Sequence, residues 1–203
     1  MRKLLSISLS IVFLCLFVGC AHTPGDAALR AGHPEQAASL YKQGADQGDP
    51  SAALKLGLLI EQGKVSNVNY GGAARWYERA CELDSLPGCH NVGVSYEYGS
   101  NGVTKDIKKA NDSYLKAAER GYMQSQYNLA SLYANQYIEP QNNIEGYKWM
   151  LIARNAAQQC KDQPLCDWIL KDPPGHMTKL KSRLSADQIN QAESLAQSWK
   201  PKM

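Results

Sequence analysis

The chain has 203 residues, a formal charge of +3 and a composition that is 44% hydrophobic and 20% charged, a length that suits one domain with a sizeable core. Arg2 and Lys3 supply two of those charges and fall in a segment that the sequence marks for removal, leaving 184 residues at a net +1. A surface so nearly neutral offers no field to a polyanion, which excludes nucleic acid as the partner.

Met1, Arg2 and Lys3 form a short basic region, and residues 4–19 run apolar and small up to Cys20, the pattern of a signal peptide over residues 1–19. A membrane span needs roughly 20 apolar residues, whereas residues 4–19 number 16 and are diluted by Ser6, Ser8 and Ser10. Phe17, Val18, Gly19 and Cys20 resemble the bacterial lipobox, with Phe17 where that pattern prefers leucine. The resemblance implies acylation of Cys20 and membrane attachment through buried acyl chains, at about 0.8 kcal/mol per CH₂. Ala21 stands where an aspartate would favour retention at the inner membrane, so the expectation is an outer-membrane lipoprotein of the cell envelope, facing the periplasm. The alternative is an ordinary cleaved signal. Residues 20–33 are expected to be the lipidated N-terminus and a tether.

From residue 34 the chain repeats itself. The windows AALKLGLLI (52–60), GCHNVGVSY (88–96) and SQYNLASLY (125–133) superpose, with Gly57, Gly93 and Ala130 spaced by 36 and 37 residues. A second type of segment alternates with them: AASLYKQG (37–44), AARWYERA (73–80), ANDSYLKA (110–117) and GYKWMLIA (146–153). Small and apolar residues recur at i, i+4 and i+7 in both types, which predicts amphipathic helices. Asp49 and Pro50 suit an N-cap and first helical position, while Gly48, Gly63, Gly99 and Gly121 punctuate the ends.

These residues resemble the Sel-1-like repeats, cousins of the tetratricopeptide repeats. Residues 88–121 carry the pattern most fully, with Val92, Gly93, Tyr96, Gly99, Gly102, Val103, Asp106, Lys109, Ala110, Tyr114, Lys116, Ala117, Ala118 and Gly121 in place. The third copy lacks the loop glycines, having Gln136, Ile138, Glu139 and Pro140 there. The resemblance implies an all-α fold: a right-handed solenoid of antiparallel helix hairpins over residues 34–158.

Residues 159–203 read as a capping segment. Asp172, Pro173, Pro174 and Gly175 break the chain, a short helix is expected over 177–184, and Ser185 with Gln188 forms a capping box. Ile189, Ala192, Ala196 and Trp199 share one face of the final helix, suited to closing the last repeat.

Once Cys15 is removed with the signal and Cys20 is lipidated, Cys81, Cys89, Cys160 and Cys166 remain. An oxidising compartment allows them three pairings, of which the two local ones are expected. In one continuous helix Cys81 and Cys89 would lie about 12 Å apart, too far for a disulfide, but the intervening Asp84, Ser85, Leu86, Pro87 and Gly88 turn the chain. Cysteine-rich secreted members of the family resemble this placement. Cys160 and Cys166 bracket Pro164 and would staple the turn after the last repeat helix. A zinc site from these thiols with His90 or His176 is the sharper alternative, but it lacks C-x-x-C or H-x₃-H spacing.

No catalytic residue and no cofactor site is expected. Gly93, Val94, Ser95, Tyr96 and Glu97 fall short of a nucleophile elbow and lie inside a repeat helix, and there is neither H-E-x-x-H nor a phosphate loop. Glu61 and Glu97 occupy equivalent positions 36 residues apart and could face one another, a spacing more usual for a solvated stripe than for a general acid and base.

A solenoid's inner surface is lined by the first helix of each repeat, so the stripe expected to face a protein partner comprises Leu54, Leu58 and Glu61, then His90, Val94 and Glu97, then Tyr127, Ser131 and Ala134. The competing assignment makes these ordinary core residues. The expected function is non-enzymatic protein binding by a monomer anchored to the membrane, narrowed by analogy to an immunity protein against a type VI secretion toxin. An envelope scaffold or host-contact protein is the alternative within that class, and a cell-wall or β-lactam-binding enzyme is the alternative outside it.

Overall fold

The computed structural model describes residues 23–138, 142–160 and 162–202, with the backbone alone at 67 and 68. Residues 1–22, including the expected signal peptide and Cys20, lie outside the described residues. Among those described, the chain forms twelve helices and no strand.

Four helical pairs run in order: α1 (Pro24–Arg30) with α2 (Pro34–Asp46), α3 (Pro50–Glu61) with α5 (Ala73–Glu82), α6 (Leu86–Tyr98) with α7 (Ile107–Ala118), and α8 (Met123–Ala134) with α9 (Asn143–Gln158). A four-residue helix α4 (Asn67–Tyr70) interrupts the α3–α5 loop, where the Tyr70 carbonyl accepts from the Trp76 indole at 2.7 Å. Each helix packs on its neighbour in sequence, α2 on α3, α5 on α6 and α7 on α8, so contacts are local and stack along one direction.

The caps follow the residues that foreshadowed them. The Asp49 carboxylate accepts from the backbone amides of Ser51 at 2.8 Å and Ala52 at 3.2 Å, ahead of Pro50. Asp106 caps α7 through the Lys109 amide at 3.0 Å, and α6 ends on Gly99 in the left-handed region at φ 68°. These bonds satisfy amides that a helix start leaves without partners.

One stretch differs from the sequence expectation. Residues 24–30, expected within a tether, form α1, which docks on α2. The Asp26 carboxylate accepts from the Tyr41 hydroxyl at 2.6 Å and pairs with Lys55 at 2.7 Å, and the Tyr41 ring lies where a side chain on Gly25 would have to be.

Beyond α9 lie α10 (Pro164–Lys171), α11 (His176–Lys181) and α12 (Ala186–Ser198). Helix α12 packs on α9 behind the expected Ser185–Gln188 capping box. Of its expected stripe Ala192 and Ala196 are buried, while Ile189 and Trp199 are half-buried against the same core, Trp199 edge-on to Trp149 at 5.9 Å. Helix α10 packs on α9, and α11 packs on both α8 and α9.

Both expected disulfides are formed. Cys81–Cys89 joins α5 to α6 across 4.5 Å between α-carbons, and Cys160–Cys166 joins the end of α9 to α10 across 5.8 Å. The close approach at the first bridge requires Gly88, whose hypothetical Cβ would meet Ala80 Cβ at 2.7 Å and the Cys81 amide at 2.9 Å.

Candidate functional site

The stripe expected to face a partner does not form one exposed surface. Leu54 and Leu58 are half-buried against the N-terminal core cluster, and Val94 packs against the C-terminal one. His90 is half-buried between Tyr114 and Tyr122, its Nδ1 3.1 Å from Ser125 Oγ. Burial holds its pKa down at about 4, so the ring is neutral at physiological pH. Of the eight residues in that stripe apart from Ala134, Glu61 alone is exposed.

Glu61 and Glu97 are each held within their own repeat. Each accepts the phenolic hydrogen of its own repeat's tyrosine: Tyr77 donates to Glu61 at 2.7 Å and Tyr114 to Glu97 at 2.7 Å. Asn101 ties the two repeats together, donating to Glu61 Oε1 at 2.9 Å and Ser95 Oγ at 2.9 Å.

Tyr127 and Ser131 are buried, because the C-terminal segment folds over α8. The Tyr127 hydroxyl donates to Asp172 at 2.8 Å, and its ring stands edge-on to Trp168 at 5.0 Å. Asp172 adopts the left-handed conformation at φ 45°, and its second oxygen accepts from the Met177 amide at 2.9 Å. The Asp-Pro-Pro-Gly break therefore anchors the cap onto the face expected to be open.

That closure builds a cleft of about 340 Å³, bounded by the end of α6, the face of α8 and the α10–α11 cap. Glu97, Tyr127 and Ser131 line it, so three residues of the expected stripe converge there from two repeats. Its walls are Tyr98, Tyr137 and Trp168, which are 71%, 49% and 43% exposed. Among the described residues five large hydrophobic side chains are exposed, and these are three of them. Lys105 lines the cleft with its Nζ 5.1 Å above the Tyr137 ring.

The polar interior of the cleft is specific. Glu97 is 5% exposed; burial pushes its carboxyl above the ordinary range, opposed by hydrogen bonds from Tyr114 and Tyr98 and by the charge of Lys105. His176, also lining the cleft, has its pKa lowered by burial, and its buried Nδ1 has no hydrogen-bond partner. Among the described residues no group of three or more His, Cys, Asp or Glu is placed to hold a metal ion.

Tyr98, Lys105, Tyr137 and Trp168 were missed by periodicity because they stand at a helix end, in two loops and in the cap. For Tyr98, Tyr137 and Trp168 the signal was an aromatic residue at a position that no buried stripe requires; Lys105 carried none.

A family model described as Sel1 repeat matches residues 15–49, 50–85, 86–122 and 124–157. The chitin synthase regulator SKT5 of Malassezia restricta is 32% identical over 114 residues, 54% of this chain and 8% of that protein. Human cytochrome c oxidase assembly factor 7 is 31% identical over 106 residues, 49% of this chain and 46% of its own length. The chain thus spans less than half of either relative. A solved protective antigen present in uropathogenic Escherichia coli strains, displaying an SLR fold, superposes with a TM-score of 0.63 at 25% identity, covering 86% of this chain and 38% of that one.

Proposed function

The chain belongs to the Sel1 repeat family, and from that premise we propose that it is an envelope lipoprotein, anchored through Cys20, that binds one protein partner in the cleft between α6, α8 and the C-terminal cap. Sel1 repeats are protein-interaction scaffolds. The observation that carries the reading is the gathering of Tyr98, Tyr137 and Trp168 at one cleft. Exposed apolar side chains scattered singly are ordinary, whereas a cluster with a polar rim marks a contact surface, and Tyr and Trp dominate binding energy where they become buried.

A photo-crosslinking residue at Tyr137 or Trp168 should capture one envelope protein, and the same residue at Leu195 on α12 should not. Equal capture from both positions would remove the cleft from consideration. Replacing Cys20 with serine should move the chain from the membrane to the soluble fraction; unchanged fractionation would defeat the lipid anchor.

The narrower form of this reading makes the partner a type VI secretion toxin and the chain its immunity protein. Co-expression should then protect cells from a toxin encoded beside it. The other form, a scaffold or host-contact protein, draws support from the likeness to a protective antigen, and it requires the protein to be reachable by antibody on intact cells.

A further inference from the structure

The cleft already holds a cation, and that cation is the chain's own. Lys105 is exposed, lies in the α6–α7 loop and places its ammonium over the Tyr137 ring, the geometry of a cation–π contact. A flexible exposed lysine is held there weakly and can be displaced. Other polar groups share the cleft with it. Glu97 and Ser131 line it, and so does His176, whose buried Nδ1 makes no hydrogen bond and stands 3.8 Å from Asp172 Oδ1. Asn128 donates its amide to the Tyr114 hydroxyl at 3.2 Å, which leaves its carbonyl oxygen as a further acceptor. Among the described residues Lys179 also reaches the lining, its Nζ 3.5 Å from Asn135 Oδ1.

Aromatic faces that share a cleft with a carboxylate complement a flat, weakly hydrated cation that can stack and donate several hydrogen bonds at once. Guanidinium has that form, with five donors in a fixed fork. We propose that the cleft receives an arginine side chain of the partner protein, whose guanidinium takes over the aromatic face that Lys105 covers and pairs with Glu97. This rests on the reading that the partner docks in the cleft, and it makes Lys105 an internal competitor.

The test uses the full-length chain, labelled with ¹⁵N and titrated with three probes: acetyl-Gly-Arg-Gly-amide, its citrulline counterpart and its glutamate counterpart. The arginine probe should shift the Trp168 indole signal with about tenfold higher affinity than the neutral, isosteric citrulline probe, as a charge-assisted pair implies. Replacing Lys105 with alanine should tighten the arginine probe about threefold by freeing the Tyr137 face. Glu97→Gln should weaken it about fivefold or more while keeping an acceptor for Tyr114. If that variant fails to fold, the Lys105 substitution, at an exposed site, decides alone.

Equal binding of the arginine and citrulline probes, tighter binding of the glutamate probe, weaker binding after Lys105→Ala, or no shift with any probe would each overturn the proposal. A crosslinked partner segment that lies in the cleft without an arginine would also end it while leaving the docking reading intact. Absence of any cleft crosslink would sink the docking reading instead.

Discussion

Tyr114 donates its phenolic hydrogen to Glu97 at 2.7 Å while its ring occupies the space that a side chain on Gly93 would need. Repeat by repeat the arrangement recurs. Tyr77 lies over Gly57, where a Cβ would come within 2.5 Å of Tyr77 Cε1, and bonds Glu61. In the first pair Tyr41 makes the same two kinds of contact in a different register, lying over Gly25 and bonding the adjacent Asp26. In the fourth pair the corresponding positions are Ala130, Ala134 and Met150, all buried. The three positions change together because each depends on the others: a ring against the helix backbone requires glycine, and a buried hydroxyl requires an acceptor.

Gly93→Ala should therefore destabilise the chain by about 2–4 kcal/mol, since the added methyl meets a ring that is fully buried. Tyr114→Phe should cost about 1–3 kcal/mol by leaving the Glu97 carboxylate without that donor. The triple variant Gly93→Ala, Glu97→Ala, Tyr114→Met installs the fourth pair's solution, and it should lose less than the sum of its single changes. Urea denaturation measures all of these, and additive losses would show that the positions act independently.

Acidification should destabilise the fold through His90. Its pKa is about 4 folded against 6.5 ordinarily, so between those values the unfolded chain binds a proton that the folded chain does not. Stability is full above about 6.5 and declines as pH falls towards 4, by about 3 kcal/mol for this group. His176, also lowered by burial, acts with the same sign, and Glu97, raised by burial, acts with the opposite one. His90→Gln should flatten the decline in urea midpoints between pH 7 and 4.5, and an unchanged slope would show that His90 does not carry it.

Removing Cys81 and Cys89 together as serines should lower stability by about 2–3 kcal/mol, the loop-entropy value for a short bridge. The Cys160–Cys166 pair ties the cap to α9, so replacing it should have a local effect as well. Limited proteolysis should cut near residues 162–175 before the repeats, whereas cleavage that begins within α3 or α6 would show that the cap does not depend on its bridge.

Repeat length, helix pairing, the Asp49 and Ser185 caps and both cystine pairs were legible because each depends on residues close in sequence. Spacing brought Gly57, Gly93 and Ala130 into register but could not show that a tyrosine some 20 residues on lies against the first two. The cleft was the least legible feature. Tyr127 and Asp172 are 45 residues apart, and a helical-repeat pattern gives no information about which face a non-repeating tail will cover. Ser131 and Tyr127 therefore read as open surface, although the cap's weight of Trp168, Asp172 and His176 falls on them.

That closure changes what substitution at buried and at exposed positions should do. Periodicity alone expects polar replacements at Leu58 and Tyr127 to abolish partner capture and leave the melting temperature unchanged. Tyr127 is 3% exposed and spends its hydroxyl on a buried carboxylate, so Tyr127→Ser removes a packed ring and strands Asp172, at a cost of about 3–5 kcal/mol. Leu58, half-buried in the N-terminal cluster, should lose a smaller amount, about 1–2 kcal/mol, when replaced by serine. Tyr137→Ala removes exposed surface, so it should shift stability by less than about 1 kcal/mol while abolishing capture; Trp168→Ala also loses its edge contact with Tyr127 and should cost about 1–2 kcal/mol, still less than Tyr127→Ser. Thermal melts set beside crosslinking yields separate the two classes. If Tyr127→Ser melts like the parent, the cap does not seal α8, and the surface for a partner reverts to the open stripe of the first helices.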